Sequence, residues 1–86
     1  MRVQLLTATW CSSCQREQDI WQRICARHGV TLEVVDLDTP AGGVVASRHH
    51  LKIMPAVLID DRLRAVGVQT EAEVEALLAA AEAQGS

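Results

Sequence analysis

Two cysteines of this 86-residue chain, Cys11 and Cys14, are separated by two serines and preceded by a tryptophan. Residues 3–8 are mostly apolar and predict a buried strand, whereas apolar side chains at helical spacing from Ser12 onward predict a helix. Cys11 should therefore lie in the first helical turn, where unpaired backbone N–H groups and the helix dipole stabilise an anion. Such a position can lower a cysteine pKa from about 8.5 to roughly 3.5–7.5, which favours the nucleophilic thiolate at neutral pH.

Cys14 follows Cys11 by three residues, so the predicted helix brings the two thiols to the same face. A thiol at Cys14 can attack a mixed disulfide that Cys11 has formed with a substrate, which closes a Cys11–Cys14 disulfide and releases the reduced product. We therefore predict that Cys11 and Cys14 are catalytic and form a redox-active disulfide.

The composition excludes several other classes of function. The net charge is −3, with 8 basic and 11 acidic residues and no basic run, so nucleic acid is not an expected partner. The apolar runs are far shorter than the roughly 20 residues that span a bilayer, and Met1 and Arg2 lead directly into a strand, so no membrane association is expected. Three cysteines, an odd number, argue against the disulfide framework of a secreted domain, and we expect a cytoplasmic protein.

Helices and strands alternate along the rest of the chain, within a length that fits one domain over residues 1–86. A strand, a helix and a second strand suggest a βαβ unit with parallel strands, and two later strands around Asp60-Asp61-Arg62 suggest a hairpin. The predicted elements are a strand over 3–8, a helix from Ser12 to about His28, a strand over 30–37, a helix from Ala41 to about His50, strands over 56–59 and 63–66, and a helix after the capping box Thr70-Glu71-Ala72-Glu73, with Ala83 to Ser86 fraying.

This arrangement resembles the thioredoxin superfamily, in a minimal version of glutaredoxin-like size. The resemblance covers nearly the whole chain and implies an α/β fold: βαβ followed by αββα, with a four-stranded mixed sheet flanked by three helices. The motifs that carry it are Trp10-Cys11-x-x-Cys14, Asp36-Leu37-Asp38-Thr39-Pro40 after the second strand, Ile53-Met54-Pro55-Ala56 before the third, and Gly67 after the fourth.

The resemblance implies three substrate-binding residues. Met54–Pro55 would be a cis peptide bond beside the two sulfur atoms, with the backbone of Met54 free to pair with an extended substrate; the simpler alternative is that Pro55 protects the start of a strand. Trp10, next to Cys11, would form a wall of the substrate groove, the alternative being that it covers the first strand.

The sequence departs from the family at a buried acid. Thioredoxins carry an aspartate in the first strand that helps to move the proton of the second cysteine, and the matching residue here is Leu5. Glu17 is a possible proton acceptor, because it follows Cys14 by three residues and falls within the apolar face of the helix. The simpler interpretation of Glu17 is a helix-surface carboxylate whose stem skirts the core.

A second departure concerns the substrate class. Glutaredoxins usually carry Thr-Val-Pro at the cis-proline and a Gly-Gly pair after the fourth strand, whereas this chain has Ile53-Met54-Pro55 and Gly67-Val68. The motifs therefore favour a protein-disulfide reductase, with a glutathione-dependent reductase as the alternative. The chain is too short for a nucleotide or flavin domain, so we expect no cofactor, a separate reductase or small thiol as electron donor, and a monomer.

A metal-binding site would place the protein in a different functional class from the oxidoreductases. Cys11, Cys14, Cys25 and His28 have the spacing C-x2-C-x10-C-x2-H, which resembles a zinc site. If 14–25 is one helix, its eleven steps of about 1.5 Å place the outer cysteines roughly 16 Å apart, too far to share an ion. We therefore predict no metal and a buried, apolar role for Cys25, while a metal or iron-sulfur carrier that uses Cys11 and Cys14 in a dimer remains the alternative.

Overall fold

The computed structural model describes residues 1–84. They form one four-stranded mixed sheet, in the order β2-β1-β3-β4, with three helices, which confirms the predicted thioredoxin fold. The elements are β1 (Val3–Thr7), α1 (Cys14–Arg27), β2 (Leu32–Asp36), α2 (Pro40–Arg48), β3 (Ala56–Ile59), β4 (Arg62–Val66) and α3 (Glu71–Gln84).

The strand β1 lies at the centre of the sheet and pairs with a strand on each side. Leu5 is opposite Val34 of the parallel strand β2 and opposite Val57 of the antiparallel strand β3. The hairpin between β3 and β4 turns through Asp60 and Asp61, whose φ angles are both positive. The predicted parallel unit and hairpin are thus present, but the turn is one residue shorter than predicted because Arg62 already belongs to β4.

The helix α1 begins two residues later than predicted, at Cys14 rather than Ser12, and Cys11 precedes it. The amide of Cys11 donates to the carbonyl of Ala8 and that of Cys14 to the carbonyl of Cys11, at 3.1 and 3.4 Å, so the intervening residues form a turn. Serine favours such turns because its hydroxyl competes with helical backbone bonds. Cys11 therefore lies just outside the first helical turn.

The ends of the other elements differ from the predictions by a few residues. β2 is shorter than the predicted 30–37, and as an edge strand its residues are only partly covered. α3 continues through Ala83 and Gln84, which were expected to fray, while Gly85 and Ser86 lie outside the described residues. The helices α1 and α3 have 14 residues each, and within residues 1–84 no helix is long and apolar enough to cross a bilayer.

Helices cover both faces of the sheet. Successive residues of β1 point to opposite faces, so each face receives its own set of side chains. Leu5 belongs to a cluster with α1 and α3, and Leu6 belongs to a second cluster with α2. Trp21 and Cys25 are buried in the first cluster, which confirms the buried position predicted for Cys25. The second cluster contains Leu6, Ala8, Cys14, Ala46, Met54, Ala56 and Leu58.

Candidate active site

Cys11 and Cys14 form a disulfide, and the two residues differ in exposure. Their Cα atoms are 5.5 Å apart. Cys11 is half-buried, whereas Cys14 is only 4% exposed and packs within the second cluster. The hydroxyl oxygen of Ser13 lies 3.6 Å from Sγ of Cys11. An incoming disulfide can therefore reach Cys11 more readily than Cys14.

The turn before Cys11 is held against the loop that follows β2. The hydroxyl of Thr9 donates to Oδ2 of Asp38 at 2.9 Å, and the amide of Leu37 donates to the carbonyl of Thr7 at 2.7 Å. These bonds join the carboxyl ends of two parallel strands, β1 and β2, at the same end of the sheet. The redox turn thus begins from a fixed backbone, and Asp38 contributes to its position.

The helix α2 begins at this same end of the sheet, with Thr39 as its N-cap. The hydroxyl of Thr39 accepts from the amide of Gly42 at 3.1 Å and donates to the carbonyl of Asp36 at 2.6 Å, and Pro40 occupies the first helical position. The cap fixes where α2 starts, and α2 in turn places Ala46 in the cluster that contains Cys14.

The Met54–Pro55 peptide bond is cis, as the family resemblance implies. Met54 and Pro55 are buried, and Cys11 packs against the cluster that contains Met54. The amide of Gly67 donates to the carbonyl of Pro55 at 2.8 Å. The structure thus brings together three segments that are distant in the sequence: the cysteine pair, the proline turn and the start of the loop after β4.

Three large apolar side chains in these segments remain exposed: Trp10, Ile53 and Val68, with exposed fractions of 61%, 61% and 60%. We call these three residues the apolar rim. The exposure of Trp10 contradicts the alternative in which this side chain covers the first strand. Neither Ile53 nor Val68 was predicted as a site residue, although both belong to the segments, Ile53-Met54-Pro55 and Gly67-Val68, that distinguish the chain from glutaredoxins.

Glu17 of α1 is fully buried, so its interpretation as a surface carboxylate was wrong. Its Oε1 accepts a short hydrogen bond from the backbone amide of Gln69, and its Oε2 is buried without a partner. Gln69, in the loop between β4 and α3, was not anticipated, since its side-chain type carries no signal for a bond made by its backbone. The apolar stripe of α1 explains the burial, because position 17 faces the core together with Cys14 and Trp21.

Residues 1–79 match the family model described as "Thioredoxin domain". The chain belongs to the thioredoxin family. "Thioredoxin Y, chloroplastic" of Oryza sativa subsp. japonica is 33% identical over 52 residues, which are 60% of this chain and 31% of that protein. The matched segment thus spans about a third of the length of this relative.

Solved thioredoxin structures share the fold along most of the chain. Thioredoxin 1 from Thermosipho africanus superposes with a TM-score of 0.77 at 18% identity, with both chains covered completely. Thioredoxin O2 from Arabidopsis thaliana, in its oxidised state, gives 0.73 at 19% identity over 92% of this chain and 72% of that chain. At these identities the similarity shows the fold alone.

Within this thioredoxin fold, the third cysteine lies apart from the pair. Cys25 is buried in the first cluster, and burial raises the pKa of its thiol to about 11. His28 lies at the end of α1, where its two ring nitrogens are 2.7 Å from a carboxylate oxygen of Glu75 and 2.6 Å from one of Glu82. In the described part of the chain, no group of three or more His, Cys, Asp or Glu side chains is arranged to hold a metal ion.

Proposed function

We propose that this protein is a thiol-disulfide oxidoreductase that reduces protein disulfides by exchange through Cys11 and Cys14. Membership of the thioredoxin family and the CxxC pair support thiol-disulfide chemistry in general. The observation that carries the assignment of roles is the unequal exposure of the pair: the half-buried Cys11 is the attacking residue and the buried Cys14 is the resolving one.

The reaction proceeds in two exchanges that together transfer two electrons. The thiolate of Cys11 attacks one sulfur of the substrate disulfide, a Cys11–substrate bond forms, and the other substrate sulfur leaves as a thiolate that takes up a proton. Cys14 then loses its thiol proton and attacks Sγ of Cys11. The Cys11–Cys14 bond forms, the bond to the substrate breaks, and the second substrate sulfur leaves reduced.

The apolar rim supports a protein as the substrate. Trp10 and Ile53 flank the cysteine pair and the Met54–Pro55 turn, and exposed aromatic and aliphatic side chains are typical anchors for polypeptide partners. Met54 and Pro55, which border the pair, provide the backbone beside which an extended segment would lie, as the family resemblance implies. Glutathione offers little apolar surface to such a rim, so efficient reduction by glutathione alone would favour the alternative reductase.

Glu17 is our candidate for the proton acceptor of Cys14. It lies one helical turn after Cys14, and helical side chains lean towards the amino terminus of their helix, which directs a long side chain at position 17 towards the preceding turn. Its buried Oε2 has no hydrogen-bond partner, so this oxygen is available to receive a proton. Leu5, at the position of the family's aspartate, is fully buried and has no group that could accept the proton of Cys14.

The partners and the compartment belong to the same proposal. A separate reductase or a small thiol returns electrons to the pair, and the protein acts as a monomer in the cytoplasm. The odd number of cysteines, which does not fit the disulfide framework of a secreted domain, supports this environment.

An equilibrium redox titration tests the proposed function. The protein is equilibrated in thiol buffers of defined potential, its free thiols are alkylated, and mass spectrometry reports which cysteines are oxidised. We expect a two-electron Cys11–Cys14 couple between about −270 and −200 mV, as for cytosolic reductants. A couple near about −120 mV would indicate an oxidant. The absence of any couple, together with stoichiometric zinc or colour in anaerobically purified protein, would favour the metal carrier.

A further inference from the structure

Hydrogen bonds attach the loop between β4 and α3, residues 67–70, to the rest of the molecule at several points, and one of them runs from the side-chain Nε2 of Gln69 to the carbonyl of Val66 at 3.4 Å. The first amide of the loop, on Gly67, donates to the carbonyl of Pro55 at 2.8 Å. The amide of Gln69 donates to Oε1 of Glu17. At its end, Thr70 and Glu73 exchange the two bonds of a capping box, at 2.9 and 3.2 Å. The loop therefore has a defined conformation although it contains no regular structure.

Val68 lies between the attachments at Gly67 and Gln69. Its neighbours Gly67 and Gln69 are fixed by their amides, while its own side chain is 60% exposed. An exposed apolar side chain on a backbone that is fixed on both sides loses little conformational entropy when it binds a partner. Val68 is therefore an exposed apolar side chain on a fixed backbone.

The loop faces α1 across a cleft, and Gln69 is attached to the helix by a hydrogen bond. A cleft of about 410 Å³ separates the loop from the surface of α1, with Arg16 and Ile20 on the helix side and Val68 and Gln69 on the loop side. The hydrogen bond from Gln69 to Glu17 crosses between these two elements. Because both partners are buried, removing the carboxylate leaves a buried N–H without an acceptor, which destabilises this position of the loop.

We infer that Glu17 is a positioning residue for protein substrates: by accepting the Gln69 amide, it fixes the β4–α3 loop so that Val68 is presented beside the Pro55 edge of the redox site. This inference rests on the proposed function, since it concerns the substrates of that site. It is separate from the proposed proton transfer, because Oε1 makes the attachment whereas Oε2 is the unpartnered oxygen.

Two substitutions separate the attachment from the proton. Glu17→Gln retains a carbonyl oxygen that can accept from Gln69 but removes the carboxylate, whereas Glu17→Leu removes both. Each is combined with Cys14→Ser, which eliminates the resolving step, so that the measured rate is the formation of the mixed disulfide at Cys11. The substrates are insulin, as a protein disulfide, and a small aromatic disulfide that reports the reactivity of Cys11 itself.

We expect the Leu variant to react with insulin about tenfold more slowly than the Gln variant, the size of effect that follows the loss of one ordered interface residue. Both variants should react equally with the small disulfide. Val68→Ala in the same Cys14→Ser background should reproduce the insulin-specific loss, because it removes the contact and leaves the attachment. Hydrogen exchange at the Gln69 amide should be faster in the Leu variant than in the Gln variant.

Equal rates for the Leu and Gln variants, equal losses on both disulfides, a Val68→Ala variant as fast as its parent, or unchanged exchange at Gln69 would each overturn the inference. These outcomes leave the proposed function intact provided that the wild-type protein reduces insulin. A wild-type protein that reduces neither disulfide would instead overturn the proposed function, and this inference with it. Asp19→Asn, an exposed change of charge on α1, controls for electrostatic effects on Cys11.

Discussion

Gly42 of α2 lies against the backbone carbonyl of Asp36, at the end of β2. A Cβ atom at position 42 would be 2.0 Å from that oxygen, inside any permitted contact distance. The neighbouring Gly43 has nothing within 4 Å of the same ideal Cβ position. The two glycines of α2 therefore have different roles: one permits the close approach of helix and strand, and the other only lowers helix propensity.

Gly42→Ala should destabilise the protein, because the new methyl group requires α2 to move away from β2. We expect a loss of about 1–3 kcal/mol in the free energy of unfolding, measured by urea titration. Gly43→Ala is the matched control and should stabilise the protein by up to about 1 kcal/mol, since alanine is the better helix former. Equal effects of the two substitutions would contradict the close approach.

Cys14→Ser should trap a mixed disulfide between Cys11 and a substrate protein, because the serine hydroxyl cannot complete the second exchange. The adduct is detected on a non-reducing gel and its site assigned by mass spectrometry. Cys11→Ser is the matched variant, and it should form no such adduct since the buried Cys14 is poorly accessible. An adduct that forms through Cys14 would reverse the two roles.

Glu17→Gln should slow the second exchange and alter its dependence on pH, because the amide cannot accept the proton of Cys14. We expect a decrease of about a hundredfold in the rate at which the mixed disulfide resolves, measured by rapid mixing and acid quench. Asp19→Asn removes a charge from the exposed face of the same helix and should leave the profile unchanged. Identical profiles for Glu17→Gln and wild type would eliminate Glu17 as the acceptor.

Cys25→Ala should reduce stability while leaving the redox couple in place. The side chain is buried in the core, and the substitution should cost about 0.5–3 kcal/mol in the free energy of unfolding. Because the pKa of Cys25 is raised to about 11, alkylation of the reduced native protein at neutral pH should modify Cys11 and leave Cys25 unlabelled. Loss of the couple in this variant would show that the redox pair has been misassigned.

The link between α1 and α3 at His28 should make stability depend on pH. Hydrogen bonds to Glu75 and Glu82 raise the pKa of His28 above its ordinary value of 6.5. Nη1 of Arg27 also lies 3.7 Å from Oε1 of Glu75. A raised pKa in the folded state means that the stabilisation is complete below pH 6.5 and is lost as pH rises through the folded-state pKa.

His28→Gln tests this link. The difference in urea midpoint between wild type and variant should be largest below pH 6.5 and should shrink as the pH increases above that value. High salt should reduce the difference, since the two carboxylates are exposed to solvent. A difference that stays constant across this range would show that His28 contributes through packing rather than through its charge.

The sequence by itself determined the helices and strands of this protein and the cysteine pair on which the proposed chemistry rests. Three local patterns are examples: the spacing of Cys11 and Cys14 after an apolar segment, the Thr39-Pro40 helix start, and the strand signals around Asp60 and Asp61. Each pattern involves only a few adjacent residues, and the structure has the corresponding helix, strand or turn at that position. Such patterns predict an element without knowledge of what packs against it, which is why the fold and the redox pair could be read from one chain.

Only the tertiary structure decided which distant residues meet. The apolar stripe of α1 turns Glu17 towards the core, but only the fold brings the backbone amide of Gln69, 52 residues later in the sequence, to its carboxylate. Likewise, Gly42 is required by a carbonyl six residues earlier that approaches only when the helix packs on its strand. Burial and close approach depend on partners brought together by the fold, so a local pattern cannot specify them.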